Sequence, residues 1–315
     1  MRILIWNDVE GIAGITDQDY NFTDEKYMKL TTAEINAVIK GLKKGGATHI
    51  DIFDGHGMGD NLILEELNNQ ANYLGGGWMV ILANLIRTEK FQQYDALVLV
   101  GMHAQEGTID GFIAHTNSKL TALYLNEMPI GEIEQAAWLA GYFNVPTIFI
   151  SGDEAAIKEA NKYLPGIEVV ITKKKENENF VSFPLDDVYL ELEQKACKAL
   201  KNINELQPFI FGGPIKVEIL FAFEDAAEEM ALLPGFEKKD ERTVIYHAKD
   251  YLEAFWAYQS FRPILKTYES QFFQQILSKV QEKFNLDDEN DIQPLFNETY
   301  EEFMKKKKSF PSIKF

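Results

Sequence analysis

The amino-acid sequence predicts an α/β fold: a three-layer, mainly parallel sheet, followed by a second, smaller α+β domain and a helical C-terminal extension. Three observations lead to this prediction. Short apolar runs alternate with segments of helical periodicity over residues 1–207, which is typical of βαβ units. The chain has 315 residues, of which 46% are hydrophobic, enough to fill a large core. A segment with prolines and glycines at 208–214 then marks a domain boundary.

Each predicted strand of the first domain, residues 1–207, is a short apolar run bounded by turn residues. The predicted strands are 2–7, 49–53, 96–101 and 146–150. Residues 120–125 and 128–130 flank Asn126-Glu127, a pair that suits a turn, and are expected to form a hairpin. Because helices separate most of the strands, the sheet is expected to be mainly parallel.

The helices of the first domain are predicted from apolar residues at helical spacing and from residues that favour helix ends. They are 31–44, 132–143, 154–163 and about 18 residues after Pro184. The first ends at Gly45-Gly46, which suits the left-handed conformation that often follows a helix. Asp153 is a suitable N-cap for the third. Glu132 lies in the first turn of the second.

Residues 208–270 are predicted to form the smaller α+β domain. Its strands are 215–222 and 242–248, and its helices are 224–232 and a segment that begins at Asp250. From about residue 270 the chain is acidic with helical character, and it closes with Lys305–Lys308. Residues 271–315 are therefore predicted to be a helical extension with a basic tail.

The charge of the chain limits the classes of partner. The formal net charge is −18 at pH 7, which argues against nucleic acid and an anionic membrane surface, because both need a basic protein surface. No apolar run approaches the length of a membrane span, and no export signal is recognised. A single cysteine excludes an intrachain disulfide and says nothing positive about the compartment, so a cytoplasmic location is the default expectation.

Polar side chains follow three of the predicted strands at the point where each strand ends. Asp8 and Glu10 follow the first, two residues apart, and extended backbone would place both on one face. His56 follows the second strand, between two glycines, and His103 follows the third. Because the carboxyl ends of parallel strands share one edge, where ligands bind, these four side chains are expected to converge. Such nitrogen and oxygen donors suit a divalent first-row metal, above all zinc.

Each of these residues also has a simpler structural interpretation when it is taken alone. Asp8 could cap a turn, Glu10 could be a solvated loop carboxylate, and His103 could be a hydrogen-bonded core histidine. His115 and Glu132 would complete a donor set large enough for a metal site with one proton-moving residue. Glu132 alone would stabilise a helix N-terminus electrostatically. The joint pattern favours the metal site for all of them.

Several short segments carry a resemblance to a known family. They are Asn7-Asp8-Val9-Glu10-Gly11, Asp54-Gly55-His56, Gly101-Met102-His103-Ala104, Ala114-His115 and Pro129-Ile130-Gly131-Glu132. Further landmarks are Ala140–Pro146, Ser151-Gly152-Asp153 and Ala248–Ala254. In order and spacing these segments resemble the D-aminopeptidase family of dinuclear zinc metallopeptidases, and the resemblance covers roughly residues 1–260.

The resemblance implies an aminopeptidase that hydrolyses N-terminal residues, D- or small, from short peptides through a water activated by zinc. It implies that five residues hold two zinc ions per chain, namely Asp8, Glu10, His56, His103 and Glu132. His115 would be the catalytic side chain, either as an acid or base or as a stabiliser of the developing oxyanion. The family also implies a ring-shaped homo-oligomer, a decamer, whose sites face an inner chamber.

The sequence departs from the family pattern at Trp6. The family usually has a small serine at this position, so a reshaped pocket floor is expected.

Two other functions are compatible with the same residues. Aspartate, glutamate and histidine donors also serve other dinuclear metallohydrolases, such as amidases and phosphoesterases, although no basic phosphate clamp lies near the motifs. A module that binds metal without catalysis is the alternative of a different class.

Overall fold

The computed structural model describes residues 1–17, 21–268, 270 and 311–314. The chain divides into two compact units. The first contains Met1–His115, Ile130–Phe211 and Ser312–Phe315, and the second contains Thr116–Pro129 and Gly212–Pro311. None of the helices that the described residues form combines the length and the apolar character that crossing a membrane requires.

The strands and helices are numbered in chain order. The strands are β1 (Arg2–Asn7), β2 (His49–Asp54), β3 (Asn72–Gly75), β4 (Ala96–Met102), β5 (Thr121–Leu125), β6 (Met128–Ile130), β7 (Thr147–Asp153), β8 (Glu168–Glu176), β9 (Asn179–Ser182), β10 (Ile215–Phe221), β11 (Phe236–Lys238) and β12 (Thr243–Ala248). The helices are α1 (Glu25–Gly45), α2 (Trp78–Arg87), α3 (Glu132–Tyr142), α4 (Glu154–Tyr163), α5 (Leu185–Lys201), α6 (Glu224–Met230) and α7 (Tyr251–Gln259).

The first unit is built on a sheet with the strand order β3-β2-β1-β4-β7-β8-β9. Neighbouring strands run parallel except for β8 and β9, which are antiparallel. The chain passes from β1 to β2 in one direction and from β4 through β7 to β8 in the other. Because such crossovers are right-handed, α1 lies on one face of the sheet, and α3 and α4 lie on the other. This architecture confirms the predicted α/β class.

The core of the first unit lies between the sheet and the packed pair of helices α1 and α5. Ile3 and Ile5 of β1 contribute to it, together with Val38 of α1 and Leu192 of α5, all shielded from solvent. Alternate residues along a strand point to opposite faces, and Leu4 is equally buried. Burial on both faces explains why these strands are continuous apolar runs in the sequence.

The second unit contains an antiparallel sheet with the strand order β11-β12-β10-β5-β6. β10 lies between β12 and β5 and pairs antiparallel with both. Helices α6 and α7 pack on β10 and β12. This unit has the α+β character that the sequence predicts for its smaller domain.

The two units divide the chain differently from the predicted domains, above all at residues 116–129. The prediction assigns residues 116–129 to the first domain, 1–207, whereas the structure assigns them to the second unit, because β5 pairs with β10. The strands and helices predicted within 208–270 also lie in the second unit. Of the predicted extension, 271–315, only 311–314 are among the described residues. There the amide of Ile313 donates a hydrogen bond to the carbonyl oxygen of Gly107, 2.8 Å away.

Of the strands and helices numbered above, all within the described residues, five are missing from the sequence-based prediction. They are β3, α2, β8, β9 and β11. In addition, α1 begins at Glu25, earlier than the predicted start at residue 31. The missing strands are short or polar: β8 contains three consecutive lysines, and β3 and β9 have four residues each.

Two glycines let the main chain pack directly against itself beneath the ends of β1 and β4. A Cβ atom on Gly11 would lie 2.1 Å from the carbonyl oxygen of Met102, and one on Gly101 would lie 2.3 Å from that of Asp8. Gly101 also has a φ of +73°, which favours glycine. The amide of Gly11 donates to the carbonyl oxygen of Gly101 at 2.8 Å. The segment that carries Asp8 and Glu10 is therefore fixed against the end of β4.

Candidate metal centre

The candidate site lies where three parallel strands of the first unit end. Strands β2, β1 and β4 are neighbours and run parallel, so their carboxyl ends meet at one edge of the sheet. Asp8 and Glu10 follow β1, His56 follows β2, and His103 follows β4. The structure brings these four side chains together in one cluster, at the sheet edge that the sequence analysis expects.

Asp8 lies at the centre of the cluster, with one carboxylate oxygen toward each of two histidines. Its Oδ1 is 2.9 Å from Nδ1 of His56, and its Oδ2 is 3.6 Å from Nε2 of His103. Oε2 of Glu10 is 3.1 Å from the same His56 nitrogen. Phe22 packs edge-on against the His56 ring, with centroids 4.7 Å apart. The two carboxylates are thus largely withdrawn from water, each on a residue that is only 4% exposed.

Glu132 and His115 join the cluster next to His103. Glu132 is the first residue of α3, whose start is fixed by a hydrogen bond of 2.7 Å from the amide of Gly131 to the carboxylate of Glu134. Oε1 of Glu132 is 3.6 Å from Nε2 of His103 and 3.7 Å from Nε2 of His115. All six residues that the sequence analysis singles out therefore lie together.

Main-chain carbonyl groups determine which nitrogen of two histidine rings faces the carboxylates. Nδ1 of His103 donates to the carbonyl oxygen of Ala104 at 3.0 Å, and Nδ1 of His115 donates to that of Ile113 at 2.8 Å. Since a carbonyl only accepts, Nδ1 carries the hydrogen in both rings and Nε2 faces the cluster.

The Nε2 atom of His103 provides the test of whether a metal fits. It is buried, and among the described residues it has no hydrogen-bond partner. It faces one oxygen of Asp8 and one of Glu132, each at 3.6 Å. Buried polar atoms normally have partners, and a cation in contact with this nitrogen and both carboxylates would supply one. The residues therefore fit a divalent metal.

Burial and neighbouring charges shift the pKa values of the clustered groups. Burial, followed by repulsion from Glu10, raises the pKa of Asp8 to about 7. Burial lowers the pKa of His103, but the Glu132 carboxylate outweighs this effect, and the pKa rises to about 10. For His115, burial and then the charge on His103 lower the pKa to about 4. His115 is therefore neutral at pH 7, whereas His103 holds a proton that a metal would replace.

Among the residues that the structure describes, two sets of three side chains offer ligand atoms close enough to one another to hold a metal ion. One set is Asp8, Glu10 and His103, and the other is His103, His115 and Glu132; within each set the ligand atoms lie within 4.8 Å of one another. The second set includes His115, for which the family resemblance implies catalysis. The geometry accommodates both roles for this residue.

Asp54 and Asn61 hold the loop that carries His56, a role that the sequence alone does not reveal. Both are fully buried. The Asp54 carboxylate accepts hydrogen bonds from the amide of Asn61 at 2.9 Å, from the amide of His56 at 3.3 Å and from the side chain of Asn7 at 3.1 Å. Asn61 in turn donates to the carbonyl oxygen of His56 at 3.0 Å. In the sequence, a carboxylate at a strand end could equally be a metal ligand. Only the hydrogen bonds in the structure identify Asp54 as a residue that holds the loop.

Trp6 supports the main chain immediately before His56. Its ring packs against Phe53 and Trp78, with centroids 4.8 Å and 5.7 Å apart. A Cβ atom on Gly55 would lie 2.2 Å from the indole nitrogen of Trp6. Only glycine at position 55 therefore leaves room for this tryptophan.

Comparisons with known proteins show which proteins this chain is similar to. The D-aminopeptidase of Bacillus subtilis (strain 168) is 29% identical over 274 residues, which cover 82% of this chain and 95% of that protein. A solved structure, described as the Zn-dependent D-aminopeptidase DppA from Bacillus subtilis, a self-compartmentalizing protease, is similar with a TM-score of 0.74. Its sequence identity is 26%, and the match covers 84% of this chain and 97% of that one.

A family model described as D-aminopeptidase, of peptidase family M55, matches residues 1–260. That range includes all six clustered residues and most of the chain. From the match over this length we conclude that the chain belongs to the D-aminopeptidase family.

Proposed function

We propose that this protein is a zinc-dependent aminopeptidase that removes N-terminal residues, D- or small, from short peptides. The observation that carries the proposal is the buried Nε2 of His103, which faces carboxylates of Asp8 and Glu132 without a hydrogen-bond partner among the described residues. Because the chain belongs to the D-aminopeptidase family, the reaction proposed for this site is the hydrolysis of a peptide bond. The amidase, phosphoesterase and binding-only alternatives gain no support from the comparisons.

In this proposal five side chains hold two zinc ions per chain, namely Asp8, Glu10, His56, His103 and Glu132. The Asp8 carboxylate is suited to be a ligand that both ions share, because its two oxygens face different histidines, His56 and His103. Glu10 lies beside His56, and Glu132 lies beside His103. When bound, zinc polarises a carbonyl group and lowers the pKa of water toward about 7.

We assign to His115 the movement of the proton during hydrolysis. Nδ1 of His115 is engaged with the carbonyl oxygen of Ile113, so Nε2 of the neutral ring is an acceptor. It can take a proton from the attacking water and return it to the leaving amine. A neutral ring in this tautomer offers no N–H to an oxyanion, which supports the acid and base role over oxyanion stabilisation.

The test combines metal analysis with peptide hydrolysis. Purified protein should contain about two zinc ions per chain, the number that a bridged pair of sites requires. It should release the first residue from short peptides that begin with D-alanine or glycine, lose this activity on dialysis against a chelator, and regain it with zinc. No bound metal together with chelator-insensitive hydrolysis would refute the proposal, and so would cleavage of a phosphoester in place of these peptides.

We also propose that the chain assembles into a closed, ring-shaped homo-oligomer, a decamer by the family resemblance. The solved structure to which it is similar is described as a self-compartmentalizing protease, and closed symmetry is usual for homo-oligomers. Sedimentation at micromolar concentration should show a large multiple of the 36.0 kDa chain. We propose a cytoplasmic location as the default, with which one free thiol, Cys197, is compatible.

A further inference from the structure

A buried lysine of β8 holds the turn that carries Glu10. Lys173 is completely shielded from solvent, which is rare for lysine. Its amino group donates hydrogen bonds to the carbonyl oxygens of Glu10 and Ile15, at the two ends of the turn 10–15. The same nitrogen lies 4.1 Å from the centroid of the Phe112 ring. One side chain therefore ties both ends of this turn to the sheet.

Two other side chains hold the middle of the turn. The hydroxyl of Thr172, the neighbour of Lys173 on β8, donates to the carbonyl oxygen of Gly11. Oε1 of Glu34, from α1, accepts the amide of Ala13 at 2.6 Å. Four main-chain groups of the turn are thus satisfied by side chains of β8 and α1, as buried backbone requires.

We propose that Lys173 is a positioning residue for metal binding, which fixes the main chain of Glu10 so that its carboxylate faces His56 and the metal. The inference rests on the proposed function, because it takes Glu10 as a ligand. Glu10 lies beyond the end of β1. The amides of Asp8 and Gly11, on either side of it, are bonded to β4, and the carbonyl oxygen of Glu10 itself is held by Lys173. Groups that orient metal ligands typically contribute about 10- to 100-fold to metal affinity.

Methionine is the substitution that isolates the hydrogen bonds of Lys173. It has a similar length and shape, so it preserves the packing against Phe112, but it donates no hydrogen bond. Lys173→Met therefore frees the carbonyl groups of Glu10 and Ile15. Lys174→Met is the matched control, because Lys174 is the next residue of β8, is 39% exposed and pairs with Glu176.

The experiment measures the zinc affinity of the full chain by competition with a chromophoric chelator. K173M should bind zinc about 10- to 100-fold more weakly than the wild type, and K174M should retain the wild-type affinity. Saturating zinc should restore activity to K173M. In the metal-free protein, amide hydrogen exchange over residues 8–15 should become faster in K173M but not in K174M. Wild-type affinity and exchange in K173M would overturn the proposal.

Thr172→Val provides a second test if K173M does not fold. It removes only the hydroxyl that donates to Gly11 and should also weaken zinc binding and speed exchange over residues 8–15. Wild-type values in T172V would then overturn the inference. A wild-type protein that binds no zinc would refute the proposed function and this inference together, whereas zinc binding that is indifferent to both variants would refute the inference alone.

Discussion

The imidazole rings of His103 and His115 lie parallel, with centroids 4.0 Å apart and an angle of 12° between their planes. Their environments push their pKa values in opposite directions. The Glu132 carboxylate favours the charged form of His103, and the charge on His103 together with burial favours the neutral form of His115. A positive charge at His103, whether a proton or a metal ion, therefore keeps the neighbouring His115 ring neutral and able to act as a base.

His115→Ala should keep zinc and the fold but lose turnover. If His115 carries the proton, kcat should fall by roughly 10² to 10⁴, the usual contribution of a general acid or base. KM should change little. Zinc content, circular dichroism and hydrolysis of a D-alanyl dipeptide measure the three expectations.

His103→Ala is the comparison for that variant, because its loss should remove a ligand. It should lower zinc content first and activity as a consequence. If H115A also loses zinc, His115 is a ligand, as its place in the second donor set allows. Full activity in H115A would make it a bystander.

Zinc affinity should fall as the pH is lowered. His103 has a pKa raised to about 10, and the pKa of His56 lies well above its usual range because Glu10 and Asp8 outweigh the effect of burial. Both rings therefore hold protons at neutral pH that zinc must displace. For each proton that zinc must displace, the zinc affinity should fall about tenfold for every unit by which the pH is lowered. Titration calorimetry in buffers of different ionisation enthalpy should show proton release, and its absence would contradict the assigned ligands.

Asp54→Asn should destabilise the loop that carries His56. The amide would point N–H groups at the donors of Asn7 and Asn61, which leaves buried groups unpaired at a cost of about 1–3 kcal/mol. Zinc affinity should also fall, by about 10- to 100-fold, as expected for a group that orients a ligand. Urea unfolding and chelator competition measure these effects. Asp60→Asn, at an exposed position of the same loop, should change neither; equal behaviour of the two variants would remove the role given to Asp54.

Glu34→Gln should remove a pH dependence of stability. Burial raises the pKa of Glu34 from 4.5 to about 7. The folded state thus binds this proton more tightly than the unfolded state. The stabilising contribution of the protonated Glu34 side chain is therefore complete below about pH 4.5 and is lost as the pH rises through 7. Over this range the free energy of unfolding falls by roughly 3 kcal/mol.

Urea unfolding of the metal-free proteins between pH 4.5 and 8 checks this expectation, since the stability of E34Q relative to the wild type should grow across that range. Glu25→Gln is the control on the same helix, because Glu25 is 75% exposed. A difference between E34Q and the wild type that stays constant with pH would contradict the assignment of the proton to Glu34.

The convergence of Asp8, Glu10, His56 and His103 could be predicted because it depends on one general property of parallel sheets. Each residue follows an apolar strand, and such strands end at a common edge. The prediction needed the type of each strand and the parallel direction, both of which are visible in the sequence. Only these four residues follow from that property, whereas His115 and Glu132 are predicted because they complete the donor set and match the family resemblance. The partners that orient the six residues are not predicted.

Lys173 shows why those partners escape sequence reasoning. It stands in a run of three lysines that resembles a solvated segment, and this hides both its burial and the strand β8. Its partners, the carbonyl groups of Glu10 and Ile15, are 163 and 158 positions away. The hairpin of β5 and β6 is similar: its turn is local, but the sheet that it joins is determined by β10.

The contact between Gly11 and Gly101 has a consequence for the design of new activities on this scaffold. Since the main chain after β1 rests directly on the main chain at the end of β4, backbone spacing sets the distance between the segments that carry Asp8 and His103. Repacking the surrounding side chains to fit a larger or smaller ion would therefore leave the distance between these two segments largely unchanged. A different metal preference is better sought by replacing the ligand side chains themselves while this main-chain contact is kept.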